Sequence, residues 1–376
     1  MVDKVLLPGA TLGVLGGGQL GRMFCVAART MGYRVIVLDP DPACGAGQIA
    51  DVHIQAEYTD QAALESMASQ CDAVTLEFEN IPSHSVRKVA DNTIMFPNAT
   101  AVEVAQNRDV EKQFAQRAGL QPVPYYSINS DSDLPVAAET TGFPAILKSN
   151  TLGYDGKGQY PVDDMRALVK AFGASGKVDC VLEKRVDIVK EISVIVARNA
   201  RAELTTFPVS ENQHRSGILH MSIIPARVSE EVIQRATSFA SSLAEALSYV
   251  GILTVEFFVA EDGRLYFNEM APRPHNSGHY TEDACVTSQF EQQVRMLCGL
   301  VPGVTRLASP VVMVNLLGDL WPPQWLPVFT ENNVKLHLYG KKEARRGRKM
   351  GHFNVLAKDA ESALATAEKV FAAIDS

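Results

Sequence analysis

The chain has 376 residues, 46% hydrophobic and 21% charged, with a formal net charge of −8. That length holds two or three domains with cores of their own, and the acidic balance argues against a nucleic-acid or anionic-membrane partner. No apolar stretch reaches the length of a membrane span, and the first apolar run is too short for a signal peptide. The six cysteines are scattered without C-x-x-C spacing and read as reduced thiols of a cytoplasmic protein. An enzyme is expected, with a small-molecule binding protein as the alternative.

Residues 12–97 alternate apolar runs ("LGVLG", "RVIVLD", "DVHI", "DAVTLE") with helical stretches such as "QLGRMFCVAARTMG". This alternation predicts a parallel sheet with helices on its faces. The turn "GVLGGGQLGR" spells Gly16-x-Gly18-x-x-Gly21, and Asp39 closes the next strand. Taken alone, that is a dinucleotide fingerprint, and it opens the reading of an NAD(P)-binding oxidoreductase.

A helical connector covers residues 101–119. Beyond it, "FPAILKSN" is a strand carrying Lys148, and "GYDGKGQ" is a glycine-rich turn over 153–159. "DDMRALVKAFG" is a helix, and "CVLEKRV" and "KEISVIVARN" are strands, which together make a small α+β lid. Glycines let backbone N–H groups approach phosphate oxygens. The G-x-x-x-x-G-K-[ST] loop is absent, and an isolated glycine-rich turn is more often a plain hairpin.

A long helix over 229–249 precedes two strands, 252–260 and 264–270, that flank Asp262-Gly263, a strong hairpin signal. A two-residue type I′ loop would set Ala260 against Leu265, Phe258 against Phe267 and Glu256 against Glu269. Two carboxylates facing each other repel and call for a cation, a shared proton, or separate basic partners, unless a bulge breaks the register. Beside a phosphate-binding segment, oxygen ligands suggest Mg²⁺. The same count puts Asn268 on the opposite face. A helix over 284–298, strands near 311–316 and 334–338, a basic loop at 341–349 and a final helix near 359–373 complete the chain. The stretch "KKEARRGRK" has six basic residues among nine, ordinarily the mark of a solvated loop.

Lysine, glycine-rich turn and carboxylate hairpin in this order resemble the ATP-grasp superfamily. More closely, the chain resembles the N5-carboxyaminoimidazole ribonucleotide synthase family, the ATP-dependent carboxylases of purine synthesis. The motifs run from "GVLGGGQLGRM" through "TLEFENIP", "NRDVEKQF", "PAILKSNTLGYDGKGQ", "ENQHRSGILH" and "YFNEMAPRPHNSGHYT" to "KLHLYGKKEARRGRKMGH". The resemblance implies an α/β and α+β architecture in three parts. They are a Rossmann-like domain over 1–108, an ATP-grasp domain over 109–298 with a mobile lid at about 122–190, and a C-terminal domain over 299–376 that completes the substrate site.

By resemblance, Arg108 and Lys148 contact the ATP phosphates, and Gly153, Tyr154, Asp155, Gly156, Lys157, Gly158 and Gln159 close over them. Glu183, Lys184, Arg185 and Val186 form the hinge that reads adenine through the backbone. Glu191 accepts the ribose hydroxyls, His214 and Asn268 lie at the nucleotide, and Glu256 and Glu269 hold Mg²⁺. Gln19, Leu20 and Glu79 border the ribonucleotide, whose phosphate meets Lys341, Arg348 and Lys349. Arg273, His275 and Asn276 lie near the imidazole and bicarbonate. Tyr154, Asp155, Lys157, Arg273 and His275 are the catalytic candidates. "EKRVDIV" departs from the usual aromatic, proline-containing hinge at Arg185 and Ile188. The implied activity is ATP- and bicarbonate-dependent carboxylation of 5-aminoimidazole ribonucleotide through carboxyphosphate, by a cytoplasmic homodimer. Its rivals are a formate-dependent glycinamide ribonucleotide transformylase, the oxidoreductase, and a non-catalytic nucleotide sensor. Biotin carboxylase is longer.

Overall fold

The computed structural model describes residues 5–151 and 158–375. The N-terminal strands Thr11–Leu15, Arg34–Leu38, Val52–Ile54, Ala73–Leu76 and Ile94–Met95 form a parallel sheet with Thr11–Leu15 at its centre. Strand residues alternate between its two faces. Val35 and Val37 pack with Leu20 and Phe24 of the helix Gln19–Thr30, while Ile36 and Leu38 pack with Leu64 and Met67 on the other side. The two-residue strand Ile94–Met95 is too short to show as a period in the sequence.

The lid is a four-stranded antiparallel sheet, ordered Tyr125–Ile128, Cys180–Lys184, Ala145–Ser149, Gln159–Val162. It packs on the helices Leu134–Thr141 and Met165–Ala174 through Leu134, Leu168 and Phe172.

The largest sheet joins what the sequence divides. Leu265–Ala271, Gly251–Ala260, Ile188–Arg198, Ser210–Arg215 and Ile218–Ile224 continue directly into Val311–Leu317, Lys349–Leu356 and Val334–Leu338, with Leu204–Thr206 on the side of Ile188–Arg198. Lys349 thus opens a strand instead of closing a basic loop. The helix Glu230–Ala246, capped by Ser229, covers one part of this sheet, and Ala360–Ile374 covers the C-terminal part. The helix Gln289–Leu297 places Phe290, Val294 and Leu297 in the core of the N-terminal domain.

Candidate active site

The carboxylate hairpin turns through three residues, Glu261, Asp262 and Gly263. Ala260 N–H donates to Arg264 O, and Gly263 takes φ 77°. The type I′ expectation fails because a three-residue turn with glycine in the left-handed position suits the strand twist equally well. The register near the turn is therefore Val259 to Leu265 and Phe257 to Phe267, one residue off the expected one. A bulge at Asn268–Glu269 restores it, so that Val255 faces Met270. The extra residue turns Asn268 toward Glu256, and Asn268 Nδ2 donates to Glu256 Oε2 at 3.3 Å. Asn268, Glu256 and Glu269 thus line one cavity, and the opposite-face assignment of Asn268 is corrected. Burial first, and then Glu269, push the Glu256 carboxyl up to about 7.

The helix Arg108–Arg117 anchors this hairpin. Asn107 Oδ1 accepts from Asp109 and Val110 N–H, which starts the helix with Arg108 at its first position. Arg108 Nη1 lies 3.0 Å from Glu269 Oε2, and one turn on Glu111 accepts from Met270 N–H at 2.6 Å. Lys112, beside Glu111, reaches the lid, where Glu183 is held between Lys112 Nζ at 2.9 Å and Lys148 Nζ at 2.7 Å. The Glu183 side chain fixes Lys148, which leaves only its backbone for the hinge role expected of it. The N–H groups of Lys184 and Arg185 donate to Pro124 and Pro144 carbonyls. Lys184, Arg185 and Val186 line a separate cavity of about 580 Å³ with Glu261, Arg264 and Tyr266.

Glu191 and His214 face each other with His214 Nδ1 2.8 Å from Glu191 Oε2. Burial opposes a charged ring there, but Glu191 outweighs it and raises His214 above its ordinary value. Both line the cavity of about 210 Å³ that also holds Arg108, Lys148, Gln159, Glu256, Asn268 and Glu269.

A second cavity of about 460 Å³ is lined by Gln19, Leu20, Glu79, Glu111 and Arg273. Arg273 Nε donates to Glu79 Oε2, so two expected substrate residues pair with one another. Arg108, Glu269, His275, Asn276 and Lys349 belong to both cavities and form the wall between them. At that wall the Asn276 amide is buried with neither polar atom hydrogen-bonded. A donor and an acceptor left together at a cavity wall fit a small polar ligand.

The glycine-rich turn carries a different message from its sequence. Gly17 N–H donates to Asp39 Oδ2 at 2.6 Å, Gly21 N–H to Glu77 Oε2 at 2.7 Å, and Gly18 N–H to Glu77 Oε1. These are the groups a dinucleotide pyrophosphate would need. The chain supplies its own carboxylates instead, and a Cβ on Gly16 or Gly18 would overlap Glu77. Asp39 also accepts from Tyr58 Oη and Asp41 N–H, so it closes a turn and is not a free ribose ligand. The oxidoreductase reading falls here.

Lys341 Nζ donates to Gln19 Oε1 and to Lys349 O, both at 2.7 Å, bridging the C-terminal segment to the glycine-rich turn. Arg348 lies apart from Lys349, in a cavity of about 360 Å³ with Gly17, Gly18, Lys341 and Arg345. Gly158 and Gln159 are described, whereas Gly153, Tyr154, Asp155, Gly156 and Lys157 lie outside the described residues. Among the described residues no helix is long and apolar enough to cross a membrane.

Residues 9–106 match the ribonucleotide synthetase preATP-grasp domain, 113–290 the ATP-grasp domain, and 311–366 the phosphoribosylaminoimidazole carboxylase C-terminal domain. The N5-carboxyaminoimidazole ribonucleotide synthase of Bacillus subtilis (strain 168) is 43% identical over 361 residues, 95% of this chain and 94% of that one. The chain belongs to the N5-carboxyaminoimidazole ribonucleotide synthase family. A solved synthetase of this family in complex with ADP matches with a TM-score of 0.93 at 43% identity over 98% of both chains. The Aspergillus clavatus synthase in complex with ADP and 5-aminoimidazole ribonucleotide matches at 0.91 and 30% identity, over 98% of this chain and 100% of that one. The ATP-grasp fold with a parallel-sheet N-terminal domain thus stands as expected.

Within this synthase framework, sequence reasoning passed over Glu77, Glu111, Lys112 and Gln289. A helix with Arg108, Glu111 and Lys112 on adjacent turns carries the signal for two of them, since such charges are seldom buried unless paired. Glu77 stands in "TLEFENIP", two residues before Glu79.

Proposed function

We propose the following division of labour for the ATP-dependent carboxylation of 5-aminoimidazole ribonucleotide, the reaction this chain catalyses to give N5-carboxyaminoimidazole ribonucleotide. ATP spans two cavities, that of Lys148, Glu191 and His214 and that of Lys184, Arg185 and Val186. Its phosphates meet Lys148 and Arg108, its ribose meets Glu191 and His214, and its base lies along Lys184, Arg185 and Val186, read by Val186 and the hinge carbonyls. The ribonucleotide occupies the larger cavity beside Gln19, Leu20 and Glu79, with its phosphate toward Lys341, Arg348 and Lys349. Bicarbonate stands at the shared wall, against Asn276, His275 and Arg273.

The observation that carries this reading is the wall itself. Arg108, Glu269, His275, Asn276 and Lys349 line both cavities, so a group activated on one side is presented to the other without leaving the protein. A bicarbonate oxygen attacks the γ-phosphorus and ADP leaves. The exocyclic amine then attacks the carboxyphosphate carbon, or the CO₂ released from it, and inorganic phosphate leaves. Phosphoryl transfer asks of a protein mainly position and charge, and Lys148 and Arg108 supply both. Glu256 and Glu269 fit Mg²⁺: two convergent carboxylates, one raised to about 7 by burial and its neighbour, form an oxygen site that favours a cation. Bound there, Mg²⁺ would neutralise phosphate charge. Tyr154, Asp155 and Lys157 orient the reactants or move a proton, as the family resemblance implies.

The chain is divided functionally into 1–108, 109–298 and 299–376, and acts in the cytoplasm as a homodimer. Turnover with ¹⁸O-labelled bicarbonate tests the mechanism. One ¹⁸O per molecule of phosphate is expected, and carboxylated product accompanied by unlabelled phosphate would exclude carboxyphosphate.

A further inference from the structure

His275 heads a short 3₁₀ turn, Asn276–Gly278, and its own ring caps that turn. Ser277 N–H donates to His275 Nδ1 at 3.3 Å. A backbone amide can only donate, so Nδ1 presents its lone pair. A neutral imidazole carries one proton, which is therefore on Nε2.

The second contact at the same nitrogen agrees. Ser277 Oγ lies 2.9 Å from Nδ1, and with no proton on Nδ1 the hydroxyl is the donor. Its proton spent, Ser277 Oγ must accept from Ser193 Oγ, 2.7 Å away. Ser193 Oγ in turn accepts from Asn212 Nδ2 at 3.0 Å, and Asn212 Oδ1 accepts from Ser222 Oγ at 2.8 Å. Ser210 Oγ, 2.7 Å from Ser193 Oγ, is then left to donate to it. Ser222, Asn212, Ser193 and Ser277 are all buried, so water does not reverse the chain. Every donor in it points toward His275.

The backbone of His275 is held as firmly. Its N–H donates to Gln289 Oε1 and its carbonyl accepts from Gln289 Nε2, both at 2.9 Å. The free side of the ring looks the other way, with Nε2 3.5 Å from Glu256 Oε1 at the wall shared by the two cavities.

We propose that His275 is held in the Nε2–H form by Ser277 and the buried Ser222–Asn212–Ser193 chain, and acts as a hydrogen-bond donor to a reacting oxygen at the wall, not as the base. Ser277 and Ser193 are its positioning residues. The amine proton of the ribonucleotide goes elsewhere, because accepting it at Nε2 would require Nδ1 to give up two donors. The part about the reacting oxygen rests on the proposed function, while the tautomer does not.

The test is a long-range ¹H–¹⁵N correlation on histidine-labelled, substrate-free enzyme, with His275 assigned from a His275→Gln variant. A protonated Nε2 beside an unprotonated Nδ1 is expected, and a protonated Nδ1 would overturn the proposal. Ser277→Ala removes the nearer donor at 2.9 Å and leaves Nδ1 only the backbone N–H at 3.3 Å, so it should admit a measurable fraction of the Nδ1–H tautomer and lower kcat about tenfold to a hundredfold, with the KM for ATP little changed. Ser193→Ala, one link further away, should do the same more weakly, and it serves if Ser277→Ala does not fold. Unchanged tautomer and unchanged kcat in the folded variant would remove the positioning role. Because the tautomer is read without substrate, its failure is distinct from failure of the substrate assignment, which the activity of the unsubstituted enzyme reports.

Discussion

Lys148 Nζ sits 2.7 Å from Glu183 Oε2, and both side chains are buried. Lys112, from a helix outside the lid, takes the other oxygen. One carboxylate thus joins the lid lysine to the helix that also grips Glu269. Removing Glu183 leaves two buried ammonium groups facing each other. Breaking a buried pair in this way costs about 3–5 kcal/mol. Glu183→Gln should lower stability to denaturant by an amount of that order, and an unchanged midpoint would refute the coupling.

The same pair sets an acid limb. Burial raises the Glu183 carboxyl, but Lys112 and Lys148 more than reverse this and hold it at about 2, against an ordinary 4.5. A carboxylate whose folded value is depressed stabilises fully above its unfolded value and loses that contribution as pH falls toward the folded one. Stability should therefore drop between about pH 4.5 and 2, and Glu183→Gln should flatten that drop in thermal melts.

Glu111 has the opposite sign. Burial, and then Glu269, raise it to about 8. Its folded state binds a proton that the unfolded chain releases from about 4.5 upward, so it erodes stability as pH rises to about 8. Glu111→Gln keeps an acceptor for Met270 N–H. Its melting temperature relative to the unsubstituted protein should rise with pH across that window, and a constant difference would contradict the assignment.

Gly18 has no room for a side chain, since a Cβ there would stand 2.5 Å from Glu77 Oε1. Gly18→Ala should displace Glu77 and weaken charge-assisted hydrogen bonds worth about 2 kcal/mol each. Titration of the unsubstituted protein with NADH should give no saturable fluorescence change, because Asp39 and Glu77 hold the N–H groups.

Glu256→Gln and Glu269→Gln should each raise the Mg²⁺ concentration for half-maximal activity about tenfold or more. An Mg²⁺ requirement equal to that of the unsubstituted enzyme would place the metal elsewhere.

The fold was legible where periodicity is strong: the parallel N-terminal sheet, the lid strands, the long helix and the carboxylate hairpin. Glu256 and Glu269 were paired through two compensating misjudgements. The loop is one residue longer than expected, and a bulge of one residue takes up the difference. Local pattern measures neither, and the bulge sits where Glu269 and Met270 meet Arg108 and Glu111, a long-range contact. Asn268 was misplaced for the same reason. The Rossmann-like turn misled for another. Three glycines announce a close approach of some anion to the backbone, but only the folded chain reveals that the anion is Glu77. Gln289 belongs to no motif, Lys112 stands in "NRDVEKQF" with nothing local to mark its partner, and both roles follow from long-range contacts.

The most direct test of the account is ADP release measured with ATP, Mg²⁺ and bicarbonate, with and without 5-aminoimidazole ribonucleotide, against a parallel series with glycinamide ribonucleotide and formate. Strong stimulation by 5-aminoimidazole ribonucleotide that depends on bicarbonate, with little by the other pair, is the predicted result. Stimulation by glycinamide ribonucleotide and formate, and none by 5-aminoimidazole ribonucleotide, would contradict it.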